Sequence, residues 1–326
     1  MAKTDLTICH ENTTYHPDVL EGVRWTTERR GTPSKLTFKI LNSDLIKMDI
    51  SEGDQVTFKW EGKNVFYGYI FSIKYDESDV IDITAYDQLR YLTNKDTYVY
   101  KNKTASDVIK MIADDFKLKY ETETIEKTPY LIKTRIEDSQ TLFDIINNAL
   151  DLTLQHTNKL FVFYDDFGKL TLKNADNMLT SAVITAGTAG GYSFNSSIDE
   201  QTYNKIKLYF DNKATGKRDV YIEMDSKNIG KWGTLQYYEK LDEGENGKAK
   251  AQKLLSLYNA PTRSLSIDKV EGDCSVRAGS SVIIKMKVGN KDLSHYFFVE
   301  SCTHDFSLNE HTMNLSVRGG ALDEWL

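Results

Sequence analysis

The stretch GDQVTFKW, Gly53 to Trp60, is echoed near the other end of the chain by GSSVIIKM, Gly279 to Met286. Val56, Phe58 and Trp60 alternate with Thr57 and Lys59, the pattern of a strand with one apolar and one polar face. Val282, Ile284 and Met286 repeat it. Each opening leads to a turn, an aromatic strand, a loop and an alternating strand. In the first half these are Val65-Phe-Tyr-Gly-Tyr-Ile-Phe71 and Val80-Ile-Asp-Ile-Thr84; in the second, Tyr296-Phe-Phe-Val299 and His311-Thr-Met-Asn-Leu-Ser-Val317. Ile81 and Ile83 fall opposite Met313 and Leu315 once a longer turn is allowed in the second copy. The order of elements predicts a duplicated β domain.

Between the copies the period changes. Thr104-Ala-Ser-Asp107 has the form of a capping box and opens a helix with Val108, Ile109, Ile112 and Phe116 on one stripe. A second helix is expected from Asp138 to Leu150, followed by a hairpin of Leu160–Tyr164 and Lys169–Lys173. The fold class read from these patterns is mainly β with an α+β insert. Its predicted domains are 1–96, 97–176 and 177–326, the last with a helical insertion at about 244–260 that Pro261 closes. The aromatic strand has apolar residues on both faces: Phe66 and Ile70 on one, Tyr67, Tyr69 and Phe71 on the other. The second face therefore needs cover, from a closed barrel or a neighbouring subunit, and Tyr67, Tyr69 and Phe71 are interface candidates. Trp325 and Leu326, after the glycine pair Gly319-Gly320, read as a docking tip or a frayed end.

Composition narrows the function. The chain has 326 residues, 40% hydrophobic, enough for a sizeable core. No apolar run approaches the roughly 20 residues of a membrane-spanning helix. The first residues lack an apolar signal core, which predicts folding in the cytoplasm. Cys9, Cys274 and Cys302 are too few and scattered for a disulfide framework and are expected as thiols. The formal charge of −7, with 41 basic residues interspersed among 48 acidic ones, argues against a protein that grips nucleic acid.

Candidate chemistry is sparse. His304 and His311 flank Asp305-Phe-Ser-Leu-Asn-Glu310 and admit a metal site with Asp305 or Glu310, against a solvated surface hairpin. Asp114-Asp115 and Asp165-Asp166 invite a general-acid reading, against solvation on a helix face and in a turn. Gly187-Thr-Ala-Gly-Gly191 lacks the spacing of a phosphate loop and reads as a connection between domains. No catalytic residue, metal or cofactor is expected. The 19 tyrosines suit a sugar-binding surface, a barrel core or a protein interface.

Gly22-Val-Arg-Trp25, Gly31-Thr-Pro-Ser-Lys-Leu-Thr-Phe38, Gly53-Asp-Gln-Val56, Val65-Phe-Tyr-Gly68, Thr84-Ala-Tyr-Asp-Gln-Leu-Arg-Tyr-Leu92 and Thr104-Ala-Ser-Asp107, with Gly230-Lys-Trp-Gly-Thr-Leu-Gln236, the helix ending Leu254 to Arg263 and Val276-Arg-Ala-Gly279, resemble the XkdQ/YqbQ-like baseplate hub proteins of contractile phage tails and defective prophages. The resemblance covers nearly the whole chain. It implies two tail-tube-like β-barrel domains flanking the insert, and a homotrimer whose six barrels join a hexameric tail tube protein to a threefold spike or needle protein. Other baseplate proteins would be neighbours, DNA would be passing cargo only, and the virion would be assembled in the bacterial cytoplasm. Relatives with fused lytic domains exist; this chain ends without room for one, so lysis is expected from a partner. The alternative is a cell-wall-binding or peptidoglycan-degrading tail module.

Overall fold

The structure, a computed structural model, describes residues 4–41, 48–75, 77, 79–199, 201–212, 215–241, 245–289 and 291–318. The chain folds as two compact units. The larger runs to Tyr192 and resumes at Ser266; the smaller spans Ser193–Leu265.

The larger unit begins with seven strands: β1 Thr4–His10, β2 Thr13–Tyr15, β3 Val19–Glu28, β4 Lys35–Leu41, β5 Gln55–Trp60, β6 Lys63–Tyr75 and β7 Val80–Tyr86. The alternation read from the sequence sets their faces: Val56, Phe58 and Trp60 are buried together with Leu36, Phe38, Ile40, Ile81 and Ile83 in one core. Gly68 is required where β6 crosses β7, because a Cβ there would lie 2.2 Å from the Tyr86 carbonyl oxygen.

The insert follows: a 3-10 turn at Gln88–Thr93, β8 Lys95–Lys103, α1 Ala105–Asp115, β9 Tyr120–Ile125, β10 Ile132–Thr141, α2 Leu142–Thr157, β11 Phe161–Asp165 and β12 Leu170–Asn174. The capping box at Thr104 and Asp107 is formed on both sides, and Val108, Ile109 and Ile112 enter a core of their own with Leu142, Ile145, Ile146 and Leu172. The second helix starts later than its periodicity suggests. Asp138 to Thr141 extend β10 against β8, with Ser139 in the left-handed region at φ +54°, and Thr141 is the cap, accepting from the Asp144 amide.

β13 Leu179–Thr185 and β14 Gly191–Ser197 lead to the smaller unit, which holds β15 Lys205–Asn212, β16 Lys217–Met224, α3 Ser226–Trp232, β17 Gln236–Lys240 and α4 Gly247–Tyr258. There α4 packs Ala251 and Leu254 on Ile206, Leu208 and Leu241. The chain ends its described course with β18 Thr262–Glu271, β19 Ser281–Val288, β20 Lys291–Phe306 and β21 His311–Arg318. Residues 187–191 are no loose connection: Gly190 donates its amide to the Asp268 carbonyl at 2.9 Å, and a Cβ on it would press against Lys269.

One sheet runs through both copies in the order β14-β18-β21-β20-β3-β4-β7-β6-β5-β1-β2, with β13 beside β19. The architecture is mainly β. Among the described residues no pairing closes either copy into a barrel; the copies are instead stitched together where β20 pairs with β3, Ser301 opposite Glu28 through Phe306 opposite Val23.

Candidate assembly surfaces

The two glycine openings are the same turn, bond for bond. Gly53 and Gly279 both hold positive φ, +94° and +91°. Each donates its amide across the hairpin at 2.8 Å, Gly53 to the Ile70 carbonyl and Gly279 to the Val299 carbonyl. The return bonds match as well: Ile70 donates to Asp54 at 2.9 Å, Val299 to Ser280 at 2.8 Å. One turn earlier, Asp54 donates its amide to the Ser51 carbonyl and Ser280 to that of Arg277. The side chains close the loop from the other side, Asp54 accepting from the Ser51 amide at 2.7 Å and Ser280 Oγ from the Arg277 amide at 3.2 Å. An acidic residue and a serine thus do one job, accepting a part-buried turn amide.

The equivalence continues along the strands. Val56 lies opposite Gly68 as Val282 lies opposite Phe297. Ile70 pairs with Ala85 and Ser72 with Thr84, leaving Phe71 as the extra residue of a β-bulge. Val299 pairs with Val317 and Ser301 with Ser316, leaving Glu300 in the same place. Counted from these bulges, Ile81 and Ile83 match Met313 and Leu315, the correspondence read from the sequence. The copies diverge at their margins, where β1 runs antiparallel to β5 but β13 runs parallel to β19.

Tyr67, Tyr69 and Phe71 share one face of β6 and are each half-buried. Much of their cover comes from this same chain. Phe167 of the β11–β12 turn meets the Tyr67 ring edge-on at 5.8 Å, and Gly168 is needed there because a Cβ would lie 2.7 Å from that ring. Tyr69 and Phe71 both touch Tyr91 of the 3-10 turn, and Arg90 sits over Phe71. The phenol of Tyr69 is held above its usual pKa, first by burial and then by Tyr67. In the second copy Phe298 occupies the place of Tyr69 and packs on Val162, Tyr164 and Met178. The insert therefore braces the same strand face in both copies. Trp325 and Leu326 lie outside the described residues.

Where the insert meets the copies, Gln88 donates to Asp165 Oδ2 at 2.7 Å and to the Lys119 carbonyl, while its own oxygen accepts the Lys119 amide at 2.8 Å. Arg277, from the second copy, reaches the Asp165 carbonyl at 3.0 Å and lies 3.9 Å from the centre of the Tyr164 ring. Asp87 accepts the amides of Ser34 and Leu89. Burial raises the carboxyls of both Asp87 and Asp165. The solvated-turn reading of Asp165 is thus corrected: it is enclosed because the Gly168 amide and Gln88 supply the donors that water would have given. Its neighbour Asp166 is exposed, as are Asp114 and Asp115.

A family model described as YQBQ-like matches residues 23–318. The chain belongs to the YqbQ-like family. It is 32% identical over 310 residues to the uncharacterised protein YqbQ of Bacillus subtilis, covering 92% of each chain. It is equally identical over 305 residues to XkdQ, a protein of the phage-like element PBSX of the same organism, covering 91% of this chain and 90% of that one. Among solved structures the fold resembles the 43 kDa tail protein of prophage MuSo2 from Shewanella oneidensis, with a TM-score of 0.70, 14% identity and coverage of 96% and 98%.

In this YqbQ-like chain Ser307–Glu310 form an exposed hairpin loop, but the histidines that flank it turn inward. His304 is fully buried, its Nε2 donating to the Val276 carbonyl at 2.9 Å, so its Nδ1 accepts from His311 Nε2 at 2.8 Å. Those two nitrogens are committed to each other, and among the described residues no group of three or more His, Cys, Asp or Glu is placed to hold a metal ion. The rings of Trp25, His304, Phe306 and His311 stack in sequence, with Trp60 against the last two. Burial pushes His304 down to about 3 and His311 to about 4, so both are neutral at pH 7. The apolar alternation of β20 and β21, Cys302-Thr-His304-Asp-Phe306 and His311-Thr-Met313-Asn-Leu315, carried the signal that would have placed His304 inside. Nothing local marks Gln88, Asp165 and Arg277 as partners, since the contact joins three distant segments.

Proposed function

We propose that the chain is a structural hub of a contractile phage tail or phage-tail-like bacteriocin, trimerising to join the sixfold tail tube to the threefold spike. The observation that carries this is the repeat of turn, register and bulge between β5–β7 and β19–β21. A threefold assembly matches a sixfold one only if each subunit offers the same surface twice, and three such chains offer it six times. The family membership and the prophage tail fold support the same reading. The hub is non-enzymatic; it acts in the virion, with the tube protein on one side and the spike on the other, and DNA passes it as cargo. The half-buried Tyr67, Tyr69 and Phe71 and the tip residues Trp325 and Leu326 are its proposed contact residues.

Light scattering on the protein alone, and stoichiometry in assembled particles, test the proposal. Three chains per particle are expected. A chain that is monomeric under every condition, including inside the particle, excludes the hub. Release of soluble fragments from purified peptidoglycan by this chain alone would favour the lytic alternative.

A further inference from the structure

In the smaller unit α4 fills one face of the three-stranded sheet. Ile206 and Leu208 of β15 pack against it and are fully buried. The alternate residues form the opposite face, in rows that the register fixes: Met224 beside Lys205, Ile222 beside Lys207 and Tyr238, Val220 beside Tyr209 and Lys240. Val220, Ile222, Met224 and Tyr238 are between 46% and 57% exposed. An apolar run along β16, continued across the sheet and left this open, is the mark of a contact surface.

The polar residues give this face a sign. Lys205, Lys207, Arg218 and Lys240 stand on it against one carboxylate, Asp211, which Arg218 and Lys240 share at 2.8 and 3.1 Å. Lys205 and Lys207 have no ion-pair partner among the described residues. The face is thus basic, on a chain whose net charge is −7. Its rings are already ordered: Tyr209 and Tyr238 stack at 5.0 Å, with Arg218 4.2 Å from the centre of the first and Lys207 5.7 Å from that of the second. A surface ordered in advance loses little side-chain freedom on docking.

Such a face fits a short segment that is both apolar and acidic. The chain carries one: Ala321-Leu-Asp-Glu-Trp-Leu326 sets two carboxylates among Leu322, Trp325 and Leu326, after the glycine pair Gly319-Gly320. We infer that this segment of one copy docks on the β16-β15-β17 face of the next. Its apolar side chains cover Val220, Ile222 and Met224, and Asp323 and Glu324 meet Lys205 and Lys207. Each chain then gives one segment and receives one, a head-to-tail contact that can close into a threefold ring. This rests on the hub reading and gives that hub's tip residues their partner.

The test uses full-length protein, alone and in assembled particles. Hydroxyl-radical oxidation of the unmodified protein reads the face: Met224 and Tyr238 are expected to react severalfold more slowly in the assembly than in the free chain. Cross-linking reads the occupant. With Cys9 and Cys274 replaced by serine and Cys302 fully buried, Ala321→Cys and Gln236→Cys treated with a short bis-maleimide are expected to give covalent products running up to a trimer. Lys205→Glu with Lys207→Glu is expected to abolish those products, and adding Asp323→Lys with Glu324→Lys to restore them. If three chains assemble but Met224 and Tyr238 react as in the free chain and the two cysteines stay uncoupled, or couple only within single chains, the docking is overturned while the hub stands. If no assembly forms at all, the hub falls and the docking with it.

Discussion

Ile70 and Val299 occupy one structural position in two halves of the chain: each exchanges a pair of backbone hydrogen bonds with a glycine turn, and each is followed by a bulge. Identical bonding at that level requires that both turns keep their glycine, but the surroundings differ. A Cβ on Gly53 meets nothing within 4 Å, whereas one on Gly279 would lie 2.3 Å from Val162 Cγ1 of the insert. Gly53→Ala is expected to cost about 1–2 kcal/mol, from backbone strain alone. Gly279→Ala adds overpacking of about 1–3 kcal/mol. Urea midpoints of the two variants check the order; equal losses would show that the insert does not press on the second turn.

The acceptor at the turn is interchangeable in kind. Asp54→Ala leaves the Ser51 amide without its acceptor and is expected to destabilise by about 1–2 kcal/mol. Asp54→Ser is expected to recover part of that loss, since Ser280 serves the same purpose in the second copy. Thermal unfolding of the pair of variants measures it.

Gln88 is expected to be intolerant of charge. Gln88→Glu replaces a donor 2.7 Å from Asp165 with a second carboxylate in a buried place and removes the donor to the Lys119 carbonyl. The expected loss is on the order of 3 kcal/mol at pH 7, shrinking toward pH 5 as the acidic cluster takes up a proton. Denaturant titrations at the two pH values read both effects.

Acid should loosen the seam between the copies. His304 and His311 are depressed in the folded chain to about 3 and 4, against an ordinary value of 6.5. The unfolded chain therefore binds protons first as the pH falls, and the stability these groups contribute, complete above about 6.5, is lost progressively toward 4. The raised carboxyls of Asp87 and Asp165 act in the opposite sense. The comparison of wild type with His311→Phe isolates the histidine part: the variant is expected to lose less stability between pH 7 and 5.

The sequence carried the fold class and the repeat because both rest on short-range periodicity. Val56-Thr-Phe-Lys-Trp60 can only alternate one way about a core, and Thr104 to Asp107 caps a helix by itself. The late start of α2 was not legible, since Asp138 to Thr141 are held in β10 by pairing with β8, a partner some forty residues earlier. Tyr67, Tyr69 and Phe71 were recognised as a face needing cover, but not that Phe167 and Tyr91 supply much of it. His304 was misread for the same reason: its environment comes from Trp25 and Val276, which sequence neighbours do not reveal.

The central claim is that two equivalent copies per chain convert threefold into sixfold symmetry. Electron cryomicroscopy of the assembled particle at the level where this chain meets the tube tests it most directly. Three chains are expected there, with β5–β7 and β19–β21 alternating around a sixfold ring. Six chains, or a ring in which only one of the two copies faces the tube, would contradict it.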